Sequence, residues 1–252
     1  MAASAVVAAG STGNLGSVAA SGAGTDSAVP VPLLVPVLVL ALAAAHGGEP
    51  GEYMGRPIAA TMHWMGARWL ERPTRETEER TSELLEALEV RKGMTVCDIG
   101  CGSGYHAVRL ARRVGATGSI VAVDVQREML ELTRKAARAA GVRNVRVVLA
   151  GEHDPRLPPA LCDLVLLVDV YHELEHPEAV LAGLRTALKA DGRVALVEFR
   201  GEDPTVPIKP EHKMTRAQAT RELVANGFAP AGSYEKLPWQ HLLFFRAAPR
   251  AR

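Results

Sequence analysis

Residues 96–104 read VCDIGCGSG, an apolar run that breaks into Gly100, Gly102 and Gly104 before a helical stretch opens at Tyr105. Glycines at this spacing let the backbone turn sharply and approach a ligand closely, and the free N–H groups of the helix that follows point at that ligand. Asp124 ends the next apolar run, 20 residues after Gly104. A carboxylate at that place accepts both hydroxyls of a ribose. The dinucleotide fingerprint is GxGxxG, but here the pattern is GxGxG, with Tyr105 where a third glycine would fall. Asp98 stands just before the loop. Its carboxylate repels a pyrophosphate and attracts an ammonium, so the residues favour a nucleoside that carries an amine over a dinucleotide.

A second polar group of residues closes a later apolar run. Residues 168–173 read Val-Asp-Val-Tyr-His-Glu. His172 is the candidate general base, because imidazole titrates near neutral pH. A structural histidine that caps the following turn is the equal alternative. Asp169 is a candidate catalytic carboxylate, or one that fixes the loop. Asp169 and Glu198, at the ends of two neighbouring apolar runs, would suit a divalent cation, but Arg200 follows Glu198 by two residues and opposes one. No metal is therefore expected. Three more segments are placed to close a pocket: residues 53–69 with His63, Trp64 and Trp69, the proline-rich residues 203–214, and residues 237–241 with Trp239 and His241. Each tryptophan taken singly reads more simply as hydrophobic filling.

These groups need a scaffold that brings strand ends together. Strand-like runs at residues 95–99, 120–124, 145–150, 164–168 and 194–199 alternate with helical patterns at 105–114, 127–140 and 177–189. A further helix at 216–225 precedes two final runs, 228–234 and 241–246. Runs of Val, Ile and Leu without alternation mean strands buried on both faces. The expected fold is α/β: a Rossmann-like, doubly wound, mostly parallel sheet of seven strands with helices on both faces. The last two runs have no helix between them, which predicts a C-terminal antiparallel hairpin. Residues 74–90 read as one charged helix with Leu84, Leu85 and Leu88 on one face.

The chain divides by composition. Residues 1–50 read as a disordered tail of small residues that contains an uncharged apolar segment, 28–45; residues 51–92 read as a helical lid or cap, and 93–252 as the ligand-binding domain. Residues 37–46 resemble the apolar region and A-x-A site of a secretory signal, yet no Lys or Arg precedes them. Export, membrane anchoring, or a cytoplasmic chain with an apolar tail therefore all stay open, as does the oligomeric state. Net charge is +1, so no general basic character supports nucleic-acid binding. The three cysteines, Cys97, Cys101 and Cys162, show no paired spacing and read as separate small buried residues.

DIGCGSG (98–104) with AVDVQREML (122–130) resembles the first motif and acidic second strand of class I S-adenosylmethionine (SAM)-dependent methyltransferases. LVLLVDVYHEL and HPEAVLAGLRTALKADGRVALVEF, within 164–199, and NGF at 226–228 resemble the small-molecule branch called methyltransferase type 11. This resemblance implies SAM as cofactor and a small-molecule acceptor. It implies that Asp98 and Gly100 take the methionine end, that Asp124 takes the ribose and that Val125 packs on the adenine, with Gly102 and Gly104 completing the loop. Glu152, or Asp154 two residues on, is implied at the adenine edge. A short-chain dehydrogenase, the rival reading, needs Tyr-x-x-x-Lys. The residues four beyond Tyr53, Tyr105, Tyr171 and Tyr234 are Pro57, Arg109, Glu175 and Pro238. The other rival is a SAM-binding protein without catalysis.

Overall fold

The computed structural model describes residues 51–249. The expectations for residues 1–50, including the apolar segment 28–45, lie outside the described residues.

The described chain opens with a small hairpin, β1 (Glu52–Tyr53) and β2 (Arg56–Pro57), followed by a 3-10 helix (Trp64–Glu71) and two short helices, α1 (Arg75–Glu79) and α2 (Thr81–Ala87). The alternating region follows: β3 (Thr95–Ile99), α3 (Tyr105–Val114), β4 (Ser119–Asp124), α4 (Arg127–Ala139), β5 (Val145–Leu149), β6 (Cys162–Val168), α5 (Pro177–Ala187) and β7 (Leu188–Arg200). The chain then runs through β8 (Lys213–Met214), α6 (Arg216–Ala225), β9 (Phe228–Tyr234) and β10 (Gln240–Ala247). The main sheet has the order β5-β4-β3-β6-β7-β10-β9, with β8 paired to the end of β7. β3 to β7 run parallel, and β10 is antiparallel to both β7 and β9. The expected sheet and terminal hairpin are present, and β8 makes an eighth strand.

Alternate residues along the central strands enter two cores, one on each face. Cys97, Ile99, Val121, Val123, Val165 and Leu167 pack with Val180, Leu181 and Leu184 of α5 and with Ala219 and Leu223 of α6. Val96, Ile120, Ala122, Leu164 and Leu166 pack with α2, α3 and α4 through residues such as Leu84, Leu110 and Leu130. Strands covered on both faces need apolar side chains at every position, which is why they read as unbroken runs. The strand order reverses between β3 and β6. The crevice beyond their carboxyl ends is the place where such sheets take ligands.

Three expectations need correction. Residues 74–90 form two helices rather than one. The break falls at Arg80, whose φ is 49°, and the Glu76 carboxylate accepts from Ser82 N–H at 3.1 Å, capping α2 from within α1. The helix expected over 177–189 ends sooner, at Ala187, and the extended chain starts at Leu188. Cys162 pairs with Leu188 and Leu164 with Arg193, so the residues between loop out, and a Cβ on Gly192 would lie 2.8 Å from the Cys162 carbonyl. Finally, Cys97 and Cys162 are not separate thiols. They form a disulfide between the neighbouring strands β3 and β6, with Cα atoms 5.9 Å apart, and Cys101 is free and buried.

Candidate active site

The glycine loop leaves β3 as the sequence implies and enters α3 through Gly104, which takes a left-handed conformation. Gly100 has φ +66°, and a Cβ there would lie 2.4 Å from a γ-carbon of Val170, so the turn after β6 packs directly on the loop. Gly102 has φ +54°, and its N–H donates to Asp124 Oδ2 at 3.0 Å. Asp124 Oδ1 accepts from Gln126 N–H at 2.9 Å. Asp124 thus ties the loop to the end of β4. A carboxylate has about four acceptor sites, so these two bonds leave capacity for ribose hydroxyls.

Asp98 is buried in β3, and its Oδ2 has no hydrogen-bond partner among the described residues. Burial and the nearby Asp124 carboxylate push its pKa up to about 7, while Arg75 works in the opposite direction. An unpartnered buried carboxylate oxygen beside a glycine loop fits an ammonium and does not fit a pyrophosphate. Val125 is 46% exposed, one of few large apolar side chains left open, as a platform for an aromatic ring requires. Glu152 is exposed in the turn after β5, whereas Asp154 Oδ1 is taken by Arg156 N–H at 2.8 Å. Both carboxylates are exposed, and Asp154 differs in that one of its oxygens is tied to the turn.

The N-terminal segment packs on this loop. Ser103 Oγ donates to Glu71 at 2.6 Å. Gln126 accepts from Trp64 N–H at 2.8 Å and donates to the Met62 carbonyl at 2.9 Å. Arg56 forms a two-pronged ion pair with Glu222 of α6, at 2.8 and 3.1 Å, and donates to the His172 carbonyl at 3.1 Å. Trp69 and Trp239 pack around Phe199, Val206 and Ile208 as ordinary filling, and His241 is held by Glu202 at 2.7 Å.

Beyond β6 the polar residues converge. His172, 2% exposed, has Nδ1 at 2.5 Å from Glu198 Oε2, and Glu198 Oε1 accepts from Tyr171 N–H at 2.9 Å. Burial works to lower the pKa of His172, but the charge and hydrogen bond of Glu198 outweigh it and leave the pKa raised. Its other nitrogen, Nε2, lies 3.1 Å from His212 Nδ1. Asp169 adopts a left-handed φ of 53°; Oδ2 accepts from Gln240 at 2.7 Å, and Oδ1 is buried without a partner among the described residues. Burial, with Glu79 and Glu198 nearby, holds the Asp169 pKa well above the usual carboxylate range. Asp169 and Glu198 therefore turn to different hydrogen-bond partners. Arg200, the reason to expect no metal, faces the other way: its guanidinium meets Glu235 and His241 of the terminal hairpin.

Sequence reading assigned no role to Glu173, His212 or Gln240, although each lies in a segment it singled out. The proline-rich loop that carries His212 was visible as a pocket wall, but nothing in the spacing linked one of its residues to His172, 40 positions earlier.

Residues 90–240 match the family model described as a methyltransferase domain. The chain is 34% identical over 110 residues to the ubiquinone/menaquinone biosynthesis C-methyltransferase UbiE of Ralstonia pickettii, an alignment that covers 44% of this chain and 45% of that protein. It is 32% identical over 113 residues to the nocamycin O-methyltransferase of Saccharothrix syringae, covering 45% of this chain and 40% of that one. It thus spans less than half the length of each of these relatives. A SAM-dependent methyltransferase from Aquifex aeolicus superposes with a TM-score of 0.69 at 24% identity, over 73% of this chain and 98% of that one. With the sheet order, the glycine loop and this match over most of the described residues, the chain belongs to the class I SAM-dependent methyltransferases.

Proposed function

We propose that this protein transfers a methyl group from SAM to a small-molecule acceptor bound beyond the carboxyl ends of β3 and β6. The observation that carries this reading is the unpartnered, buried Asp98 Oδ2 beside a loop whose left-handed Gly100 and Gly102 would be strained by any side chain. When bound, SAM supplies an electrophilic methyl carbon on a sulfonium that leaves as a neutral thioether. Asp98 and the Gly100 backbone hold the amine end, Asp124 the ribose, Val125 the adenine face and Glu152 its edge. The remaining work of the protein is alignment and exclusion of water, which the packed N-terminal segment 51–92 serves as a lid. Asp169, paired with Gln240, forms a polar wall of the acceptor space. His172, held by Glu198, is the group poised to act on the acceptor's proton. The names of the relatives, C- and O-methyltransferases, support an acceptor with a hydroxyl or an acidic carbon.

Calorimetry on the full chain tests this: SAM and its demethylated product bind, and NADH does not. NADH binding without SAM binding would restore the oxidoreductase reading.

The Cys97–Cys162 disulfide supports an oxidising location, in line with reading residues 28–45 as an export or anchoring signal. No described helix is long and apolar enough to cross a membrane. N-terminal sequencing of the protein from separated cell fractions checks this reading. An intact residue 1 in the cytoplasmic fraction would refute export.

A further inference from the structure

We propose that His172 Nε2, His212 Nδ1 and a Glu173 carboxylate oxygen form a binding site for one divalent transition-metal ion, which takes the acceptor's oxygen in an open position. The inference rests on the acceptor-site reading above and extends it. The three atoms are 3.1, 3.9 and 4.0 Å apart. Bonds of about 2.0–2.2 Å to a tetrahedral zinc place neighbouring donors about 3.3–3.6 Å apart, so the two imidazoles stand within a few tenths of an ångström of ligand spacing. Glu173 must close by roughly half an ångström, within reach of a side-chain rotation. One shared proton can satisfy the His172–His212 pair, but neither ring lies within hydrogen-bond distance of Glu173. One cation satisfies all three.

The surroundings fit a metal centre in three further respects. Glu198 accepts the Nδ1 proton of His172 and so directs the Nε2 lone pair at the cluster, the carboxylate–histidine arrangement that orients metal ligands. The Glu173 and His212 side chains keep 14% and 21% exposure, which leaves an entry path. Two imidazoles with one carboxylate suit zinc or iron(II), whereas magnesium and calcium prefer oxygen donors. Three protein ligands leave coordination open. An acceptor hydroxyl bound there loses its proton to water. Its oxygen keeps the electron pair, which forms the new bond to the methyl carbon while the sulfur keeps the pair of the bond that breaks. With the ion bound, His172 is a ligand, and the ion rather than the imidazole acidifies the hydroxyl.

Tag-free full chain, dialysed against EDTA and then against metal-free buffer, is titrated with Co2+ and followed by visible d–d absorption and calorimetry. The expected result is one Co2+ per chain, displaced by Zn2+. His212→Ala and Glu173→Gln should each abolish the absorption, and Glu198→Gln should weaken binding about 10–100-fold. His212→Asn serves as a second test should His212→Ala misfold, which circular dichroism reports. A second cluster, Glu152, His153 and His176, is the control: His176→Ala should leave the stoichiometry unchanged. Absence of saturable binding, binding unaffected by the His212 and Glu173 variants, or loss in His176→Ala alone overturns the proposal. SAM is titrated into the same metal-free sample. SAM binding without Co2+ binding refutes the metal site and spares the methyltransferase reading, whereas Co2+ binding without SAM binding does the reverse.

Discussion

His172 Nδ1 and Glu198 Oε2 are 2.5 Å apart, both side chains are almost fully buried, and the second Glu198 oxygen takes the backbone N–H of Tyr171. One carboxylate thereby sets both the ring orientation of His172 and the path of the chain that carries it. A glutamine in its place keeps one acceptor and loses the charge. Glu198→Gln should therefore lower methyl transfer about 10–100-fold while SAM affinity stays within a factor of a few. The acceptor for this assay comes from a screen with labelled SAM. Parallel losses of SAM binding and turnover would show that the pair only supports the fold.

Asp98 provides a pH test. Burial and Asp124 raise its pKa to about 7, against the opposing charge of Arg75. The folded, SAM-free protein therefore binds a proton more readily than the unfolded chain does. Its stability should fall as pH rises from the ordinary carboxylate range through about 7, and stay at the lower level above that. An ammonium needs the ionised form, so SAM affinity should drop below pH 7, approaching tenfold per pH unit. Calorimetry in buffers of different ionisation heat should register a proton released on binding at pH 6. A flat affinity from pH 6 to 8 would place the amine elsewhere.

Asp124 is expected to matter twice. Loss of its charge-assisted bonds to ribose should weaken SAM binding by about 1.5–3 kcal/mol. Because it also satisfies the N–H groups of Gly102 and Gln126, Asp124→Ala should cost the SAM-free protein about 1–3 kcal/mol of stability. Chemical denaturation separates the two effects, and unchanged values in both assays would contradict the site as drawn.

The Arg56–Glu222 pair joins the N-terminal hairpin to α6 from inside the protein; their side chains are 10% and 0% exposed. Removing one partner strands a buried charge. Arg56→Ala should thus destabilise the fold by about 3–5 kcal/mol, and the double variant Arg56→Met with Glu222→Leu should recover most of that. Equal losses in the single and double variants would mean that packing, not charge, dominates there.

Gly100→Ala probes the contact between loop and β6 turn. A methyl group there meets Val170 at 2.4 and 2.7 Å in a left-handed conformation. SAM affinity should fall by about 5- to 150-fold, since such backbone conformations cost of order 1–3 kcal/mol for residues with side chains. Partial recovery in Gly100→Ala with Val170→Ala would assign part of the loss to that contact.

By itself, the sequence determined what depends on neighbouring residues. The strands expected at 95–99 and 228–234 and the helices expected at 105–114 and 216–225 match β3, β9, α3 and α6, because apolar spacing and the turn residues that bound it are written locally. The glycine loop and Asp98 were legible for the same reason: a turn and its charge occupy a few consecutive positions. Only the tertiary structure decided which distant groups meet. Cys97 joins Cys162 across 65 residues, Arg56 reaches Glu222 across 166, and His212 comes to His172 across 40. Such contacts follow from strand order and from loops whose conformation is set by what they pack against, and no local period records them. The helix expected over 74–90 failed likewise, since the Glu76 cap that splits it at Arg80 is a side-chain choice that the leucine spacing does not register.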